Sequence, residues 1–190
     1  PNNGYLLLSR AGYYEKKGDI EAYEAEIHNA LLNMNLDIET KLRIFTTYIS
    51  DKLQKKENLD QIEPLFKEML EIYPQEESVH KLYASYLLSR QEFDKAKEQL
   101  SVAVDLNPAN IESWMQLMGI AMNRKDFSSV VETGKRALTY LPEEKDLYLY
   151  TSVGYSQTGS YDEAAALLEK GLGYVAKEDV NTCLLYTSPS

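Results

Sequence analysis

Residues 77–110 read ESVHKLYASYLLSRQEFDKAKEQLSVAVDLNPAN, and residues 111–144 read IESWMQLMGIAMNRKDFSSVVETGKRALTYLPEE. Set one under the other, His80, Tyr83, Leu87, Ala96, Leu100, Ala103 and Pro108 fall on Trp114, Leu117, Ala121, Val130, Gly134, Ala137 and Pro142. A third window, from Lys145, puts Tyr148, Thr151, Ser152, Tyr155, Ala164, Leu168 and Gly171 at the same places, and a window from Arg43 puts Thr46, Ile49, Ser50, Leu53, Ile62, Phe66, Met69 and Pro74 there. Spacings of three, four and seven residues place one apolar stripe on each of two helices per window, and the small residues let those helices approach closely. Proline at the end of a window stops the second helix, because it lacks an amide donor and clashes with the preceding turn. The reading predicts a period of 34 residues without slippage from Arg43 onward.

The pattern resembles the tetratricopeptide repeat, a helix–turn–helix unit of that length. Phe93, Phe127 and Tyr161 occupy its aromatic place 17, each after a turn residue, Glu92, Asp126 or Ser160. Met118 is bulky where the family prefers a small residue. The resemblance implies an all-α, right-handed superhelical solenoid of antiparallel helix pairs. A window from Gly4 extends the pattern upstream, with Ile20 and Ala30 in register. It leaves Ile38 to Leu42 over, which are expected to lengthen the next helix behind Asp37 as N-cap. The array is expected over residues 1–182, with repeats at about 4–37, 43–76, 77–110, 111–144 and 145–178 and the start of a sixth at 179. Pro1 falls where a preceding repeat would end, and there is no initiator methionine, so an internal stretch of a longer array is expected. Residues 183–190, CLLYTSPS, abandon the pattern and are similar to a translated sequencing adapter, so they are expected to be non-natural. They include Cys183, the only cysteine.

Thirty acidic against 20 basic residues give a formal charge of −10. Nucleic acid and anionic membrane surfaces both call for surplus lysine and arginine, so this balance argues against them and against RNA-binding two-helix solenoids. No apolar run approaches the roughly 18–20 residues that span a membrane. The absence of cysteine before Cys183 suits cytoplasm or bacterial periplasm equally. No catalytic, cofactor or metal residues are expected: His28 and His80 have no ligand-spaced partners, and Ser128, Ser129 and Ser152 have no partner histidine. Gly171-Leu-Gly173 lacks the preceding strand and following lysine of a phosphate loop. Trp114 and the tyrosines Tyr83, Tyr148, Tyr155 and Tyr161 stand on pattern places and read as packing residues, the phenols reaching solvent.

The resemblance also implies where a ligand sits, on places 2, 5, 9 and 12 of each first helix, which line a concave groove. In this chain these include Thr47, Asp51, Lys81, Ser85, Leu88, Met115, Gly119, Met122, Leu149 and Ser156. One subgroup clamps chaperone C-terminal carboxylates with lysine and asparagine there. Lys81 stands alone among the groove places, so a clamp is not expected. The apolar, adaptable middle suits a protein segment. The expected function is therefore a non-enzymatic scaffold binding a peptide or protein segment in its groove, with self-association through uncapped ends. The alternatives are docking or regulatory repeats of a larger multidomain enzyme, and a structural spacer.

Overall fold

The computed structural model describes residues 4–174, and among them there are ten α-helices and no strand. The chain divides into two compact units, residues 1–90 and 91–190. In unit 1, α1 (Gly4–Lys17) pairs with α2 (Ile20–Leu31), and α3 (Ile38–Lys55), α4 (Ile62–Ile72) and α5 (Glu77–Ser89) follow. In unit 2, α6 (Phe93–Leu106) lies against α7 (Ile111–Asn123), α7 against α8 (Phe127–Tyr140), α8 against α9 (Lys145–Gln157) and α9 against α10 (Tyr161–Leu172). The expected tail at 183–190 and the start of a sixth repeat at 179 lie outside the described residues.

The turns inside the helix pairs are repeats of one local solution. Each holds one residue at positive φ: Gly18, Lys56, Gln91, Lys125 and Gly159. A left-handed residue ends one helix and swings the chain into the next. Ile20, Phe93, Phe127 and Tyr161 then open the second helices two residues later. Asp19, Asp37, Asn110 and Asp126 cap helices by accepting from the amides of Ala22, Thr40, Ser113 and Ser129. These bonds satisfy amides that the helix itself leaves without acceptors. Asp37 starts the lengthened α3 as the sequence predicts. Pro64 is the third residue of α4, where its missing amide costs no intrahelical bond.

The second repeat departs from the even period. The buried residues of α3 are Lys41, Phe45, Tyr48, Ile49 and Lys52, whereas Thr46 and Ser50 are exposed and Leu53 is 42% exposed. The stripe is thus turned by one residue from the one read in the sequence, which had Thr46, Ser50 and Leu53 inside. The turn explains it. From the positive-φ residue to the first core residue of the second helix the chain counts five residues at Gln91 to Ala96 and at Lys125 to Val130, but six at Lys56 to Ile62. One inserted residue in this turn leaves α4 in phase with the later repeats and puts α3 out of it. Phe66 of α4 then closes the core of unit 1, its ring 4.4 Å from Phe45, 4.5 Å from Tyr83 and 5.6 Å from Tyr86.

Unit 2 shows how closely the repeats copy one another. Trp114 is buried beneath Tyr140, ring centres 6.2 Å apart, with the Arg136 guanidinium 5.1 Å from its ring. One period on, Tyr148 lies beneath Tyr174 at 5.6 Å, with the Lys170 ammonium 5.7 Å away. Such cation and aromatic contacts add modestly to the area buried. Gly134 lets α8 approach α9: a Cβ there would lie 1.9 Å from Thr151 Oγ1.

Candidate functional site

The core face of α7 is formed by Trp114, Leu117, Met118 and Ala121, all buried. On its other side Glu112 and Gly119 are exposed and Met115 and Met122 are half-buried. In α9 the core residues are Leu147, Tyr148, Thr151 and Ser152, while Asp146 is exposed, Leu149 is 40% exposed, and Val153 and Ser156 are half-buried. The two helices are in contact. Their stripes away from these core residues carry Met115, Met122, Leu149 and Val153, of which Leu149 is exposed and the other three are half-buried. Helical spacing produces these stripes: the residues three and four apart that do not face α8 line up on the opposite side.

In unit 1 the equivalent residues of α5 are Ser78, Lys81, Ser85 and Leu88. Ser85 is exposed and Leu88 half-buried. The Ser85 hydroxyl donates to the Lys81 carbonyl 3.0 Å away, and the Lys81 ammonium stands 3.8 Å from Glu77. The register of α3 changes what it presents. Arg43, Thr46, Ser50 and Leu53 take the places expected for Ile44, Thr47, Asp51 and Gln54, and all four are exposed. Thr47 is exposed but one residue off the stripe, its hydroxyl bonded to the Arg43 carbonyl at 3.0 Å. Asp51 faces a different neighbourhood, lining a small hollow with Glu15, Tyr23, Glu24, Tyr48 and Lys52. Thr47 and Asp51 therefore leave the candidate set, and Leu53 enters it. The signal for this in the sequence was the stripe Phe45, Tyr48, Ile49, which competes with Thr46, Ile49, Ser50.

That hollow is held by charge. The buried Lys52 ammonium is 2.5 Å from Glu24 and 3.5 Å from Glu57. Burial first, and then the negative charges of Glu15, Asp51, Glu24 and Glu57, push the Tyr23 phenol from the usual 10.0 up to about 12. Burial and the Glu24 carboxylate raise Tyr48 in the same sense. Lys52 fills the position a cationic ligand would take, so the cluster is a structural ion pair.

The histidines make structural bonds. His28 Nε2 is 2.9 Å from Glu68 of α4, and His80 Nε2 is 3.0 Å from the carbonyl of Pro74. Among the described residues no group of three or more histidine, cysteine or acidic side chains is placed to hold a metal, and no helix is long and apolar enough to cross a membrane.

No family model matches the chain. BBSome complex member BBS4 of Bos taurus is 27% identical over 166 residues, which cover 80% of this chain and 32% of that protein. The chain thus spans about a third of the length of the curated relative it matches. Among solved structures, the MamA protein superposes with a TM-score of 0.63 at 16% identity, over 98% of this chain and 97% of that one. YrrB, described as a TPR protein with an unusual peptide-binding site, gives 0.57 at 16% identity, over 91% and 87%. Identities this low speak to architecture, and with the ten helices and their repeated turns they establish the chain as an all-α solenoid with the fold of tetratricopeptide-repeat proteins.

Proposed function

We propose that this chain is a non-enzymatic interaction scaffold that holds a segment of a partner protein on the uncovered faces of its first helices. The candidate contacts are Met115, Gly119, Met122, Leu149 and Ser156 in unit 2 and Leu53, Lys81, Ser85 and Leu88 in unit 1. The observation that carries the reading is the pair of methionines with Leu149: three large apolar side chains outside the fully buried core of the adjoining helices α7 and α9, Leu149 exposed and the methionines half-buried. Methionine adapts to varied partners, and apolar anchors in a groove supply most of the affinity of such contacts. The similar proteins support this class, since YrrB has a peptide-binding site and BBS4 is a member of a complex. The charge of −10 leaves nucleic acid out of the proposal.

Replacing Met115 and Met122 together by alanine tests it. Stability should change by no more than about 0.5 kcal/mol, as at surface positions generally. Capture of the partner from the cells that make the protein should fall sharply. Unchanged capture with an intact fold would move the binding surface elsewhere.

A further inference from the structure

Four glycines lie inside helices of unit 2, and the fold accounts for three of them. A Cβ on Gly134 would meet Thr151 Oγ1 at 1.9 Å, one on Gly171 would meet Tyr148 Cβ at 2.6 Å, and one on Gly154 would meet Val131 Cγ2 at 3.0 Å. Gly119 differs: a Cβ there would meet nothing within 4 Å. It sits in the middle of α7, exposed, where glycine weakens a helix relative to alanine and no turn or neighbouring helix requires it. The remaining physical use of a glycine is to let another molecule come close to the backbone. Its surroundings suit an apolar visitor, with Met115 and Met122 one turn to either side and Leu149 on the adjoining helix.

The rim says what charge accompanies that visitor. At the end of this surface where α9 begins, Glu143, Glu144 and Asp146 are exposed, with Lys145 the basic residue among them. At the other end Asn123, Ser156 and Gln157 are uncharged, and Arg124 is engaged by Asp94. We infer that Gly119 is the seat for a large apolar side chain of a partner segment that carries lysine or arginine toward Glu144 and Asp146. This rests on the proposed function and deepens it, naming a basic amphipathic segment as the occupant.

The test uses a phage-displayed library of random twelve-residue peptides selected on the immobilised chain. Enriched peptides should combine a large apolar residue with lysine or arginine. Gly119→Leu should weaken them about tenfold or more, the size of a lost hot spot, while circular dichroism shows the same fold and the melting temperature does not fall, since a helix former replaces an unobstructed glycine. Gly119→Gln is a second variant that blocks the same space with a polar group. Glu144→Gln with Asp146→Asn should weaken the same peptides, and added salt should do so too. Peptides that ignore Gly119→Leu but are lost on replacing Met115 and Met122 would overturn the seat and leave the proposed function standing. Peptides that ignore every one of these changes would overturn both. Enrichment of acidic or uncharged peptides, or no enrichment, would overturn the basic occupant.

Discussion

The indole Nε1 of Trp114 donates to the carbonyl oxygen of Pro108, six residues earlier, at 2.9 Å. His80 makes the same bond to Pro74 at 3.0 Å, and Tyr148 makes it to Pro142 at 2.6 Å. Three chemically different donors thus close the same loop in successive repeats, each tying the start of a first helix to the proline that ends the helix before it. The phenol of Tyr148 reads in the sequence as reaching solvent; it reaches a carbonyl instead. Tyr148→Phe should therefore cost about 1 kcal/mol, the usual net worth of one such bond. Urea denaturation measures it, and a loss indistinguishable from zero would show that water replaces the phenol.

Gly134 and Gly119 should respond oppositely to alanine. At Gly134 the new methyl would collide with Thr151 Oγ1, so overpacking of about 1–3 kcal/mol should outweigh the gain in helix propensity. Thr151→Ala in the same chain should recover part of the loss, since it removes the obstructing hydroxyl. At Gly119 nothing obstructs the methyl, and alanine should stabilise by about 0.5–1 kcal/mol. Thermal melts of the single variants and of the Gly134→Ala/Thr151→Ala pair decide both points.

Lys41 is 0% exposed, with its ammonium 2.5 Å from the Tyr73 hydroxyl and 4.6 Å from that ring's centre. Among the described residues no carboxylate is within ion-pair distance of it. A buried charge held by one neutral partner is weakly compensated, so Lys41→Met should leave the protein at least as stable as before. Tyr73→Phe, which keeps the ammonium but removes its hydrogen bond, should cost about 1–3 kcal/mol. The reverse order of the two melting temperatures would contradict this account.

How far the sequence carries can be judged at α3. The repeat, the ten helices and the Asp37 cap all follow from periodicity and capping chemistry, because those signals are local. The register of α3 does not. Counting back from Ile62, Phe66 and Met69 assumed a turn of constant length, and one extra residue between Lys56 and Ile62 shifted Thr47 and Asp51 off the candidate face. Lys41 and Lys52 hid the true stripe further, since buried lysines read as polar in any hydrophobic pattern. Unused space such as that beside Gly119 is a property of neighbours and cannot be read from one helix.

Tyr23 makes unit 1 sensitive to alkali. Its phenol is raised from 10.0 to about 12 in the folded chain, so the folded state holds this proton more tightly than the unfolded one. The resulting stability is fully present below pH 10 and is lost as pH climbs toward 12. Following phenolate absorbance and helical content together in wild type and Tyr23→Phe checks it. The variant should lose less stability across that window, and equal losses would place the alkaline transition elsewhere.

Site-specific photo-cross-linking addresses the proposed binding face most directly. A photoreactive phenylalanine analogue is placed at Leu149, on the uncovered face of α9, or at Val102, an exposed apolar residue of α6 off that face. The protein is then irradiated in the cells that make it. The account predicts a discrete protein adduct from position 149 that disappears when Met115 and Met122 are replaced by alanine, and none from position 102. Adducts from position 102 alone, or adducts from 149 indifferent to the methionines, would contradict it.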